Sequence, residues 1–132
     1  MESYYAYMTA NGWLFSAKLA WSNQVFRWAS ILAVASALAM SGFFLWHVFP
    51  AARQNGAFIL HYNVYLGIDE VRSWMWVFLP PLVWLGLTLF DVVLALGIYR
   101  ADAFFAWSLL VLAVAWAFPW SVALFFLTYI NV

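Results

Sequence analysis

The stretch GAFILHYNVYLGIDEV, starting at Gly56, gathers His61, Asn63, Tyr65, Asp69 and Glu70 among apolar neighbours. An imidazole and two carboxylates are nitrogen and oxygen donors of the kind that hold a divalent metal. A zinc or iron site, however, needs three or four donors at a recognisable spacing. One His and two adjacent acids do not supply that, so neither a metal nor another cofactor is expected. Nor does the chain carry a nucleophile elbow, a glycine-rich phosphate loop or a paired acid and base. A membrane enzyme using His61 and Asp69 is therefore the least supported functional class. Asp69 has a more ordinary use, since it stands just before Glu70-Val71-Arg72-Ser73 and can cap the helix that follows.

The alternation in this stretch says more than its donors. From Phe58 to Ile68 the even positions are all apolar and most odd positions are polar, the period of a half-buried strand. Asn55-Gly56 turns the chain before it and Gly67 breaks it afterwards. An extended path over Phe58 to Leu66 would lean Leu60, Tyr62, Val64 and Leu66 on neighbouring helices, with His61, Asn63 and Tyr65 pointing away. The short approach from Pro50 leaves little room for a hairpin partner. A lone strand has unpaired edges, so it must pair with something or lie packed against the bundle, and a second chain is one such partner. The partner-contact candidates are His61, Tyr62, Asn63, Tyr65 and Asp69.

One further group stands apart. Asp91 lies deep in an apolar run, roughly 12 Å from the nearer helix end at 1.5 Å per residue. An intramembrane carboxyl usually faces the bundle interior, paired or protonated. It could serve a proton or cation relay, or be a structural carboxyl bonded across helices to Ser36 or Ser108. A relay needs several polar groups in series and the surrounding sequence supplies few, so the structural role is preferred.

These residues need a scaffold, and composition names its class. Of 132 residues, 69% are hydrophobic and only 8% charged, against about 25% charged in soluble domains. Such a chain cannot cover a soluble surface, and its apolar excess must face a lipid bilayer. With five basic and five acidic residues it has no field for nucleic acid. Cysteine is absent, which removes disulfides and thiolate sites. Ala37-Leu38-Ala39 resembles a cleavage site but lies too far along for an ordinary signal peptide.

Three segments reach the roughly 20 residues that cross a hydrocarbon core: 28–49, 74–99 and 103–130. Loop 50–73 joins the first two, and the tight turn Arg100-Ala101-Asp102 makes the last two antiparallel neighbours. The fold expected is an all-α membrane protein, a three-helix bundle over 28–132 with a structured, partly extended loop. Residues 1–27 form an extension in which Trp13, Ala17, Ala20, Trp21 and Val25 fall near helical spacing. They mark either an interfacial helix or a simple continuation of the first span.

Ala29, Ala33, Ala37 and Ser41 on the first span, and Ala113, Ala117 and Ser121 on the third, form small-residue stripes for close helix packing. Pro80-Pro81 should kink the second span. Lys18, Arg27 and Arg100 against Arg53 and Arg72 favour a cytoplasmic N-terminus, three to two.

His61-Tyr62-Asn63-Val64-Tyr65-Leu66-Gly67-Ile68-Asp69 resembles the HYN-x-Y-x-G-I-D signature of a family of small bacterial membrane proteins found in candidate-phyla genomes. The resemblance runs from about Trp28 to the C-terminus and takes in Pro80 and LFDVVLALGIYR. It implies a first span, a proline-bearing approach, the signature loop, a Pro-containing second span and a third span, in a bacterial cytoplasmic membrane. It assigns no activity, and an amide is common in that family where Asp91 stands. The function expected is a non-catalytic assembly or accessory subunit, meeting another membrane protein or a further copy of itself through residues 56–69. A small proton or ion carrier using Asp91 is the alternative.

Overall fold

The computed structural model describes residues 10–63, 65 and 67–132, without the side chains of Ala10, Asn11, Tyr62, Asn63 and Asp69. Its elements are α1 (Ala10–Ser22), α2 (Gln24–Asn55), β1 (Ala57–Asn63), β2 (Gly67–Ser73), a 3-10 turn (Trp74–Phe78), α3 (Leu79–Ile98), α4 (Ala103–Ala115) and α5 (Ala117–Asn131). Three stretches, Gln24–Asn55, Trp74–Ile98 and Ala103–Asn131, are helical, long and apolar enough to cross a membrane. Prolines bear on two of these spans. Pro50 does not end the first span, and α2 runs through it to Asn55. Pro80 and Pro81 fall in the first turn of α3, directly after the 3-10 turn Trp74–Phe78. They stand where the stretch Trp74–Ile98 passes from 3-10 to α geometry.

The chain divides into two compact units. The first joins the described residues up to Ala35 with Gly86–Ala117. Its core is Ala20, Phe26, Ala33, Val92, Ala95, Ala106, Leu110 and Ala113, mostly alanine, because short side chains let helix backbones approach closely. Phe26 is the large exception. Its ring meets Tyr99 edge-on at 4.9 Å and Trp107 at 5.0 Å. The break between α1 and α2 is built by Asn23, whose Oδ1 accepts from the Phe26 N–H at 3.1 Å and whose Nδ2 donates to the Tyr99 hydroxyl at 3.2 Å. The first contact is an N-cap. The second fixes the cap to the far end of α3.

Residues 10–22 thus form a helix of their own, and their buried face differs from the one the apolar spacing picks out. Ser16 and Ala20 are buried and Gly12 is half-buried, while Trp13, Trp21 and Val25 are exposed. Gly12, Ser16 and Ala20 recur every four residues, a small-residue seam of the membrane type. The Ser16 hydroxyl accepts from the Arg100 N–H at 3.0 Å, and the Arg100 guanidinium lies 4.7 Å from the Phe15 ring centroid. Asp102 then caps α4 by accepting from the Phe105 N–H at 2.9 Å.

Gly97 on α3 sits directly against Trp13, and a Cβ there would collide with the indole. Gly97→Val is therefore expected to push Trp13 off and loosen α1. Tryptic cleavage after Lys18 should accelerate about tenfold, equivalent to roughly 1.4 kcal/mol of easier local opening. Unchanged cleavage would show that α1 is not held by this contact.

The second unit joins Ser36–Leu85 with Phe118–Val132. Phe44 and Phe58 pack edge-on at 6.3 Å, Phe49 meets Trp74 and Phe78, and Trp84 stacks on Trp120 at 6.3 Å with rings 6° apart. The buried face of α2 is Phe26, Ser30, Ala33, Ala37, Ser41, Phe44, Val48 and Ala52. From Ser30 the steps are three, four and four residues, then the same again, and an 11-residue repeat of this kind stays on one side of a nearly straight helix. A stripe of four-residue steps drifts by about 40° per step. That drift leaves Ala29 only half-buried, with Ser30 in the expected place. On the third span Ala113 is buried, whereas Ala117 and Ser121 are half-buried.

Candidate functional site

The loop between the first two spans is a β-hairpin. Gly56 takes the left-handed conformation at φ 69° and stops α2 after Asn55, the usual role of glycine just past a helix. β1 and β2 then pair antiparallel, Ala57 opposite Ser73, Phe58 opposite Arg72 and Ile59 opposite Val71. Beyond a slip that leaves Leu60 and Asp69 without ladder partners, Tyr62 faces Ile68 and Asn63 faces Gly67. Gly67, at φ 77°, re-enters the ladder after the turn.

This corrects two expectations. The strand finds its partner in the residues that follow it, so a second chain is not needed to complete β1. Asp69 is a residue of β2 and caps no helix. Ser73 stands at the N-cap of the 3-10 turn with no side-chain cap bond, and the second span starts there, four residues after Asp69. A run reading Gly-Ile-Asp-Glu-Val-Arg-Ser pairs as a strand because β1 offers it a ladder.

Ile59 is half-buried beside the slip at Leu60. Phe58 is fully buried and Leu60 half-buried, while His61 is exposed and Tyr65, in the turn, is 95% exposed. Val64 and Leu66 lie outside the described residues, as do the side chains of Tyr62, Asn63 and Asp69. Arg72 bonds Glu70 at 2.8 Å and lies 5.4 Å from the Trp76 ring centroid. That pair is half-exposed, and an ion pair of this kind adds only about 0–1 kcal/mol.

One residue the sequence does not advertise organises the site. Asn131, the last helical residue of α5, accepts from the Ile59 N–H through Oδ1 at 2.8 Å and donates through Nδ2 to the Ile59 carbonyl at 2.9 Å. Its amide thereby acts as one residue of a neighbouring strand and closes the outer edge of β1. Ladder geometry then determines the opposite edge. A residue whose N–H and C=O point outward faces a partner whose groups also point outward, so Val71, opposite Ile59, turns its own pair to the free side of β2. Ser73, two residues on, is the N-cap of the 3-10 turn and gives its carbonyl to that turn. Among the described residues no hydrogen bond covers that edge at Val71.

Asp91 is buried at 8% exposure, on the α3 face that also buries Thr88, Val92 and Ala95. Of the two expected partners, Ser108 is engaged on its own helix. Ser108 is exposed and donates to the Phe104 carbonyl of its own helix at 2.9 Å. Ser36 is half-buried. The Thr88 hydroxyl, one turn before Asp91, is buried with no hydrogen-bond partner among the described residues. An unpaired charge at a helix centre costs roughly 2.5–3.5 kcal/mol on insertion scales, so removing only the charge should not weaken the protein. Asp91→Asn is expected to keep the midpoint of thermal unfolding in detergent; a marked drop would assign the carboxylate a pairing role.

Among the described residues no three His, Asp or Glu side chains gather into a possible metal site. No known protein-family model, curated protein or solved structure matches the chain.

Proposed function

We propose that this multi-pass protein is a non-catalytic assembly or accessory subunit of a bacterial cytoplasmic membrane, and that its hairpin is the contact element. The observation that carries this is the asymmetry of the ribbon. Asn131 closes one backbone edge, and the other edge is open beside exposed Tyr65, Ile68, Val71 and Met75. An open edge of this kind adds a partner strand through main-chain bonds. His61, Tyr62, Asn63, Tyr65 and Asp69 then supply the side-chain contacts around the tip.

A photo-crosslinking residue at position 65, in the full chain in native membranes, tests the reading. Discrete protein adducts are expected there and not from position 90, on an exposed face of the second span. Equal, diffuse labelling at both positions would overturn it. Orientation follows the basic residues, with the N-terminus and α1 at the inner leaflet. Single cysteines in this cysteine-free chain should react from the cytoplasm at Lys18→Cys and from outside at Gln54→Cys and Val132→Cys. Labelling of position 54 from the cytoplasm would reverse the topology.

A second reading, a small proton or ion carrier, draws on one observation, the buried carboxyl of Asp91 one turn from the unpartnered Thr88 hydroxyl. It expects a proton or ion flux in proteoliposomes that Asp91→Asn abolishes with the fold intact.

A further inference from the structure

We infer that the occupant of the open β2 edge is a second copy of this chain, paired antiparallel about a two-fold axis at Val71 to give a four-stranded sheet. The inference rests on the hairpin being the contact element and names its partner. It follows from the backbone phase and the charges of β2 taken together.

Consider first the phase. Two identical strands paired antiparallel across the same edge must match outward-pointing residues with outward-pointing residues. Val71 points outward while Glu70 and Arg72 beside it do not, so the two-fold can pass through an individual residue but not between two. That leaves a short series of registers, each differing from the next by two residues.

Charge then separates them. Glu70 and Arg72 flank Val71 on one face of the strand and already bond each other at 2.8 Å. With the axis at Val71, Glu70 lies opposite Arg72 of the second copy and Arg72 opposite its Glu70. The four charges alternate around the axis. Val71 exchanges both main-chain bonds with Val71, and Asp69 stands opposite Ser73. With the axis at Glu70 or at Arg72, like charges meet directly, which is destabilising. With the axis at Asp69, Glu70 meets Ile68 and Arg72 runs past the start of β2. Charged residues on an edge strand usually block pairing. Here their alternating sign blocks the neighbouring registers and favours one.

A two-fold that relates copies in one bilayer runs along the membrane normal, so the paired ribbons must lie across the helix ends. Two contacts agree with that placement: Ile59 is held by the last helical residue of α5, and Phe58 turns from the ribbon into the helices to meet Phe44.

The chain has no cysteine, so introduced thiols report the register directly. Opposed residues are about 5.5 Å apart at Cα in a hydrogen-bonded pair and about 4.5 Å in the other kind, both within disulfide range. Under mild oxidation in native membranes, Val71→Cys should give a disulfide dimer. Two differently tagged chains, one Glu70→Cys and one Arg72→Cys, should crosslink at least tenfold better than two Glu70→Cys chains, whose Cα atoms sit on the longer diagonal of about 7–8 Å. Arg72→Glu should abolish the Val71→Cys dimer, and adding Glu70→Arg should restore it.

Absence of the Val71→Cys dimer, or equal crosslinking by the two pairings, overturns the inference. A photo-crosslinker at position 71 separates this from failure of the parent reading. An adduct twice the chain's mass supports both. An adduct of another mass overturns the second copy and retains the hairpin as contact element, and no protein adduct from position 71 or 65 overturns both.

Discussion

Phe26→Ala is expected to cause the largest loss of stability of any single truncation in the first unit, about 2–4 kcal/mol. Phe26 is fully buried at the start of α2, with Tyr99 and Trp107 edge-on to its ring. Removing the ring leaves two aromatic neighbours facing a void, and the alanine-lined walls around it have little side chain with which to close it. Phe→Ala in a soluble core costs about 3–5 kcal/mol, of which part is transfer from water. In a bilayer the alternative environment is also apolar, so packing supplies most of the cost and the estimate is set lower. The check is reversible unfolding in mixed micelles, comparing Phe26→Ala with Phe26→Leu. Leucine should recover about half of the loss, because it restores volume without the edge-to-face pairs. Equal stability of Phe26→Ala and the parent chain would mean that the first unit is held by its alanine seams alone.

How far this structure can be read from the sequence depends on which signal a residue emits. The three spans were legible because apolar length is a bulk property: 74–99 and 103–130 fall close to Trp74–Ile98 and Ala103–Asn131. The short turn between them was equally clear, and Asp102 caps as an aspartate before a helix is expected to. β1 announced itself by its alternation. β2 did not, since Asp69 and Glu70 are adjacent acids ahead of a long apolar helix and imitate a helix start. The first span runs past its expected end at 49 because a proline one turn and a half from a helix end costs only the bond to Trp46.

The packing faces were less legible for a physical reason. In a membrane helix the large apolar residues mark the lipid side as readily as the core. Trp13 and Trp21 dominate the pattern of α1, but the face that packs is Gly12, Ser16 and Ala20. Small residues recurring every four positions mark the packing face of the extension as they do on the long spans. Asn23 and Asn131 could not be assigned from sequence at all. A lone asparagine at a helix end is a common residue, and only the fold shows what its amide reaches.

Asn131 is where the second large effect is expected. Its side chain satisfies both backbone groups of Ile59 and donates as well to the Leu127 carbonyl at 2.9 Å. Asn131→Leu keeps the approximate volume and removes every one of these bonds. Ile59 is half-buried, so its N–H and C=O would be left partly shielded from water without partners, at about 1–3 kcal/mol for each group. The total expected is about 2–4 kcal/mol, concentrated in the hairpin. Asn131→Asp distinguishes the two bonds: a carboxylate still accepts from the Ile59 N–H but cannot donate to its carbonyl, so roughly half of the loss should appear. Amide hydrogen exchange reads this locally. Exchange at Ile59 should speed up by at least tenfold in Asn131→Leu and remain slower in Asn131→Asp, while the amides of α4 keep their parental rates. An opened outer edge on β1 also makes a second docking edge, so Asn131→Leu should convert a defined dimer into larger assemblies through both sides of the ribbon. Should Ile59 stay protected in Asn131→Leu, the amide clamp does not hold the ribbon, and the asymmetry between its two edges loses its physical basis.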